Sequence, residues 1–409
     1  MKNVPELLAP VGGESQLKAA VRFGADAVYM GLNQYGMRAH AGNFTPDTLK
    51  TAVEYAHAHK VLVYLTLNIF AYDEDIAPMV ECARVAKECG VDAVIMADLG
   101  AAMAVREALP DLPVHLSTQM STLNASSARI YHSLGIPRIV LARELSLERI
   151  RNMRAQLPDT LELEAFVHGA VCMSFSGRCA LSKYLTGRDA NRGDCAQACR
   201  WRYQLMEEKR PGQYFPVEGS ERGTQIFAAG DMNMLAHLDE LCQSGLASLK
   251  IEGRMKNEYY IATVVGAYRR GLDAIRDGRW NDEVRDALCA ELLKVSHRAY
   301  DTGFYFGEPE RPGGNEGNTQ TMELTARVLS YENGRAKIHL KNKVITGDRL
   351  ELMTPQGVYP FTLTDLTTES GEPLDKCGVP NSILWMGVPA PCEEGDLLRG
   401  PCRNHTFGH

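Results

Sequence analysis

The sequence predicts an α/β fold: a (β/α)8 TIM-like barrel with a cysteine-rich insertion after its seventh strand, followed by a small C-terminal all-β domain. Three observations lead there. A glycine followed by a short apolar run recurs through the first 280 residues, the candidate parallel strands number eight, and short alternating segments take over after residue 318. At 409 residues the chain exceeds one compact core, whereas a barrel of about 250 residues with a smaller partner accommodates it.

The repeat is explicit. Gly24-Ala25-Asp26-Ala27-Val28-Tyr29-Met30 recurs as Gly90-Val91-Asp92-Ala93-Val94-Ile95-Met96, with looser versions at Gly135–Leu141 and Gly245–Ile251. Each glycine suits the left-handed residue that ends a helix, and each apolar run suits a strand buried on both faces. The strands read as Glu6–Val11, Ala27–Leu32, Val61–Asn68, Ala93–Asp98, Val114–Thr118, Arg138–Arg143, Leu161–Val167 and Ser248–Glu252. Helical patterns lie between them. Pro46–Lys60 carries Leu49, Val53 and Ala56 at helical spacing, with Thr45 as N-cap and Pro46 in the first turn. Asn257–Gly278 follows the eighth strand and Asp282–His297 precedes a Pro/Gly-rich stretch. An open doubly wound sheet is the competing architecture, but no Gly-x-Gly-x-x-Gly follows the first strand.

Most strand starts are 21–34 residues apart, yet the last gap is 87, which places an insertion at about 168–247 on the face where barrel enzymes carry their sites. The expected organisation is therefore a barrel over 1–300, a linker over 301–318 and a small β-barrel domain over 319–409. In that last part Glu323–Leu329, Arg335–Leu340, Arg349–Leu352, Val358–Leu363 and Ser382–Met386 read as strands, and Asn333-Gly334 as a hairpin turn.

Composition sets the class. Hydrophobic residues make up 45% and charged residues 23%, values of a globular protein. No run of 18 apolar residues and no signal-peptide core occur, so the expectation is a cytoplasmic protein without a membrane partner. A net charge of −7 gives no global reason to bind nucleic acid. Eleven cysteines in a long chain without a secretion signal point to thiols, a metal or a cluster rather than a disulfide framework.

Four of them, Cys172, Cys179, Cys195 and Cys199, fall within 28 residues, separated by six, fifteen and three residues. Four thiolates from one irregular loop make a soft-metal site. Only the second pair has zinc-site spacing, and the wider first spacing leans toward an iron–sulfur cluster, though ferredoxin spacings differ too. Cys242, near the end of the insertion, is a reserve ligand, and the remaining cysteines read as packing. Arg178, Lys183, Arg188, Arg192, Arg200 and Arg202 are opposed locally only by Asp189 and Asp194, with Tyr184, Trp201 and Tyr203 interleaved. Such residues hold phosphates and stack on bases, or else pack around an anionic thiolate site.

Polar residues at strand C-termini supply the other candidates: Asn33, Asn68, Asp98, Gln119, Arg143, Glu164, His168, Glu252 and Arg254. The richest group is Lys250-Ile251-Glu252-Gly253-Arg254, where alternation puts Lys250, Glu252 and Arg254 on one face. His168 is a candidate acid or base. Neither His-Glu-x-x-His nor Gly-x-Ser-x-Gly occurs, so no hydrolase nucleophile is visible.

The run Glu164-x-Phe166-x2-Gly169-Ala170-Val171-Cys172-x4-Gly177-x-Cys179-x-Leu181-Ser182 resembles the signature of the collagenase-like peptidase family, class U, number thirty-two. Glu6-Leu7-Leu8-Ala9-Pro10, Gly24–Tyr29 and Ser248–Arg254 resemble it too, so the likeness runs to about Asp273, and the C-terminal β domain is of the associated type. Asn191-Arg192-Gly193-x-Cys195-x3-Cys199-Arg200-Trp201 and Glu221-Arg222-Gly223-Thr224 are most similar to its tRNA-hydroxylating branch. The resemblance implies a 4Fe-4S cluster on Cys172, Cys179, Cys195 and Cys199, with Cys242 in reserve because some branches use a more distant last ligand. It implies oxygen-independent hydroxylation of a tRNA wobble uridine to 5-hydroxyuridine, with prephenate or a related compound as hydroxyl donor. On this reading Arg188, Arg192, Arg200, Trp201 and Arg202 face the anticodon arm, and Lys250, Arg254 and Arg143 anchor the small-molecule donor. The competing readings are a peptidase, a hydroxylase of another RNA or small molecule, and a zinc-bearing scaffold that binds RNA without catalysis.

Overall fold

The computed structural model describes residues 4–37, 42–172, 174–201, 230–307 and 318–403, together with the backbone of 205–206 and 214–215. Eight parallel strands close on themselves: β1 Glu6–Pro10, β2 Ala27–Gly31, β3 Leu62–Leu67, β4 Ala93–Met96, β5 Val114–Leu116, β6 Arg138–Val140, β7 Glu162–Ala170 and β8 Ser248–Ile251, with β8 pairing to both β7 and β1. The expected strands are all present, in order. They are mostly apolar on both faces because one lines the barrel interior and the other meets the surrounding helices. Leu8, Ala27, Tyr29, Tyr64, Ala93 and Ile95 pack as one buried cluster.

The helices start where the chain supplies a cap. In α2, Pro46–Ala58, Thr45 Oγ1 accepts from Thr48 N and Pro46 occupies the first turn. Asn257 caps α9, Glu258–Arg276, by accepting from Tyr260 N, and Asn281 caps α10, Asp282–Leu292. These helices bury a continuous apolar layer against the strands.

Two segments differ from expectation. Asp231–Asn233, inside the insertion range, pairs antiparallel with His168–Ala170, so the chain rejoins the barrel sheet before the helix Leu238–Cys242. The first residues of the expected linker are also packed on the barrel. Tyr300–Asp301 pairs with Asp231–Met232, and the buried Tyr305 donates its hydroxyl to Phe166 O at 2.7 Å. The apolar body and polar tip of Tyr305 give this segment a reason to stay on the core.

Among the described residues after 318, seven strands form one antiparallel sheet. Ion pairs made by three arginines tie it to the barrel. Arg22 pairs with Asp396 at 2.9 Å and with Glu393 at 2.7 Å. Arg327 pairs with Glu258. Arg399, fully buried, reaches Glu291 of α10 at 2.5 Å and Glu351 at 2.5 Å.

Candidate functional site

The C-terminal ends of the barrel strands enclose a cavity of about 290 Å³, and the cysteine loop forms part of its wall. Its floor is a buried chain of charges. Arg138 of β6 donates to Glu6 at 2.6 Å, to Glu162 at 2.7 Å and to Glu164 at 3.4 Å, and Lys250 donates to the other Glu164 oxygen at 2.8 Å. Tyr64 donates to Glu6 at 2.8 Å, and burial, then the neighbouring Glu6 charge, push its phenol pKa up. Each charge has an opposite partner, the condition under which a barrel interior tolerates ions. Lys250 Nζ also lies 4.4 Å from the Tyr29 ring centroid.

Above this floor Lys250, Glu252 and Arg254 all line the cavity, joined by Arg143. Arg143 donates to Ala170 O at 2.9 Å, approaches Glu252 at 3.5 Å and lies 3.8 Å from the Phe166 ring centroid. Arg254 donates to Thr66 at 3.0 Å and to Asn43 at 2.6 Å. Three further cations complete the lining: Arg200, Lys256 and Arg298. Arg298 forks onto buried Asp231 at 2.9 and 2.7 Å. Burial, with Arg200 and Arg298 close by, lowers the Lys256 pKa against the opposing pull of Asp231. Among the described residues six cationic side chains and one carboxylate, Glu252, line the cavity, so its lining carries more positive than negative charge although the chain carries net −7.

The four clustered cysteines line this same cavity. Cys199 senses the other three: burial raises its thiol pKa first, and Cys172, Cys195 and Cys179 add to the rise. Two sulfurs accept backbone N–H groups, Cys179 from Leu181 and Cys195 from Gln197, both at 3.3 Å. The loop is pinned to the barrel mouth at three points. Arg192 forks onto Asp75 at 2.6 and 3.1 Å, Arg178 donates to Gln119 O at 2.6 Å, and Glu144 accepts from the backbone and hydroxyl of Ser176, both at 2.6 Å. Asn191 clamps Cys179 through its N–H at 3.1 Å and its C=O at 2.9 Å.

The structure places other expected residues elsewhere. Glu164 lies beneath the cavity, in the buried pairing described above. His168 does not line the cavity, and the reason is local. Lys250 pairs with Phe166 but Ile251 pairs with His168, so Val167 is an extra residue that reverses the alternation of β7. His168 therefore points into the helix layer, 5.6 Å from the Tyr268 ring and 5.4 Å from the Tyr300 ring. Burial lowers its pKa to about 3. Cys242 packs at the edge of the barrel core, outside the cavity. Asp98 caps α4, Leu99–Ala108, and Asn33 is exposed. Of the residues expected to face RNA, Arg192 is held by Asp75, Arg188 pairs with Asp194 at 2.7 Å, Arg200 lines the cavity and Trp201 is exposed. Arg202 and the Glu221–Thr224 motif lie outside the described residues. Lys256 and Arg298 were not expected, because both stand in loops where strand alternation carries no information.

Among the described residues no helix is long and apolar enough to cross a membrane. The family model for peptidase family U32 matches residues 12–315, and that for the peptidase family U32 C-terminal domain matches 320–399. The chain is 34% identical over 433 aligned residues to tRNA hydroxylation protein P of Escherichia coli (strain K12), covering 95% of each. It is 41% identical over 361 residues to an uncharacterized protease of Methanocaldococcus jannaschii, covering 86% of this chain and 87% of the other. It is 35% identical over 274 residues to the Escherichia coli 23S rRNA 5-hydroxycytidine C2501 synthase, covering 67% of this chain and 40% of that one.

Proposed function

This chain belongs to peptidase family U32, and we propose that it is a cytoplasmic RNA-modifying enzyme that hydroxylates the wobble uridine of tRNA to 5-hydroxyuridine, taking the hydroxyl from prephenate or a related acid. The observation that carries the reading is the sharing of one cavity by four cysteines and six cations. The relatives named for hydroxylation of tRNA and of rRNA support the class of reaction.

The donor set fits a 4Fe-4S cluster. Cys172, Cys179, Cys195 and Cys199 would hold it, and two of these sulfurs already accept backbone N–H groups. Among the described residues no three His, Cys, Asp or Glu side chains are close enough to hold a single metal ion. When bound, the cluster supplies iron beside the cavity for Lewis-acid or redox chemistry.

The chain's own residues do the rest. Arg143, Arg254 and Lys250 present fixed donors to a carboxylate-bearing hydroxyl source, and Arg143 is braced by Ala170 O and the Phe166 ring. Among the described residues Glu252 is the one carboxylate of the lining, and it can hold a proton at the cavity wall. The wobble base is already unpaired in the anticodon loop, so splaying it into the cavity costs little pairing energy. The exposed Trp201 and Tyr184 stand on the cysteine loop as stacking surfaces. A peptidase reading finds less support: among the described residues no histidine lines the cavity, and His168 is sealed among tyrosines.

The test is anaerobic reconstitution with iron and sulfide, followed by metal analysis, an ultraviolet–visible spectrum and nucleoside analysis of tRNA incubated with the protein and prephenate. Iron, sulfide and new 5-hydroxyuridine are the expected result. Bound zinc without iron would remove the cluster, and gelatin cleavage without RNA modification would restore the peptidase.

A further inference from the structure

Gln119, at the cavity, carries a hydrogen-bond donor with no acceptor among the described residues. Its Oε1 accepts from Asn68 Nδ2 at 3.0 Å and from Ser117 Oγ at 3.3 Å. Its Nε2 is buried and has no partner among the described residues, in a side chain that is 4% exposed and lines the cavity. Buried donors are normally satisfied, so one left open at a cavity points to a ligand that completes it.

The polarity of this amide is set by its neighbours. The Met37 backbone N–H can only donate, and it reaches Asn68 Oδ1 at 3.2 Å. Asn68 therefore turns its NH2 toward Gln119, and Gln119 turns its oxygen toward Asn68, which leaves the Gln119 NH2 without a partner among the described residues. The residue sits on the turn Thr118–Met120 after β5, against the cysteine loop: its own carbonyl accepts from Arg178 at 2.6 Å.

We propose that Gln119 Nε2 reads the oxygen at position 4 of the target pyrimidine and so selects uridine over cytidine. The inference rests on the hydroxylase reading above and deepens it. On this assignment C5 faces the cysteines that line the same cavity, and the 4-substituent, on a ring atom next to C5, meets Gln119. Uracil offers an acceptor there and cytosine an NH2 donor. A donor facing the uracil oxygen is satisfied, whereas a donor facing the cytosine NH2 leaves two unpaired groups in a confined cavity.

The test compares kcat/KM of the reconstituted holoenzyme on one RNA hairpin carrying uridine, cytidine or 2-pyrimidinone riboside at the target. The last lacks any 4-substituent. Wild type is expected to lose roughly tenfold on the 2-pyrimidinone RNA, the worth of one neutral hydrogen bond. Gln119→Met is expected to lose a similar factor on uridine and nothing further on the analogue. Gln119→Glu, which presents an acceptor, is expected to shift the uridine-to-cytidine ratio toward cytidine. Ratios between substrates within one variant are independent of the fraction of folded enzyme. Full sensitivity of Gln119→Met to loss of the 4-oxygen, or an unchanged uridine-to-cytidine ratio in both variants, would overturn the assignment. If iron-loaded wild type modifies no RNA, the hydroxylase reading itself falls and takes the assignment with it.

Discussion

Lys250 Nζ lies 2.8 Å from Glu164 Oε1 at the cavity floor, with the two side chains 4% and 0% exposed. The pair joins the cavity-lining Lys250 of β8 to the buried charges beneath it, since Glu164 also accepts from Arg138. Removing one charge strands the others. Glu164→Gln is expected to destabilise the protein by about 3–5 kcal/mol in urea denaturation, and Glu164→Gln with Lys250→Met by less than the sum of the single changes. Additive losses would show that the two residues act independently. Lys250→Ala is expected to keep bound metal and RNA while abolishing modification.

The four cavity cysteines should behave as a set. Replacing Cys172, Cys179, Cys195 or Cys199 singly with serine is expected to lower iron content and abolish modification, whereas Cys242→Ser, outside the cavity, keeps both. Iron and sulfide analysis after anaerobic reconstitution reads this directly. Full iron in Cys199→Ser together with its loss in Cys242→Ser would exchange their roles.

Gly169 has φ +102, and a Cβ there would stand 2.4 Å from Glu252 O. Gly169→Ala must therefore push β7 away from the segment that carries Glu252 and Arg254. The expectation is a stability loss of about 1–3 kcal/mol together with loss of modification. Thermal unfolding and nucleoside analysis of the same preparation check both, and a fully active, unshifted variant would contradict the close packing.

The contact between barrel and β domain should weaken in acid. Burial acts to raise the Glu291 pKa, but Arg399 and Lys294 outweigh it and hold the carboxyl below its ordinary 4.5. A depressed folded pKa contributes stability that is fully present above the unfolded value and is lost as pH falls through the folded one. Urea denaturation from pH 7 down to pH 3 is expected to show wild type losing stability below about pH 4.5. Glu291→Gln, starting lower, is expected to lose less over that window.

The barrel is legible because four of its eight strands are short runs that follow a left-handed glycine, as at Gly90-Val91 before β4 and Gly24-Ala25 before β2. The gathering of Cys172, Cys179, Cys195 and Cys199 at one cavity follows from their place after β7 at the barrel mouth. His168 was misplaced because one bulge at Val167 reverses side-chain direction, and a bulge leaves no mark in an apolar run. Lys256 and Arg298 escaped notice for a different reason. Arg298 reaches the cavity through its fork onto Asp231, a pairing across 67 residues that no local pattern encodes. The amide relay from Met37 through Asn68 to Gln119 likewise depends on three separate strand-end loops meeting in space.

On the proposed function, this cavity hydroxylates a tRNA uridine. Mass spectrometric analysis of tRNA nucleosides from a strain lacking this gene and its paralogues tests it most directly. Loss of 5-hydroxyuridine and its derivatives, restored by the wild-type gene and not by Lys250→Ala, is the predicted result. Normal levels of those nucleosides in the deletion strain would contradict the account.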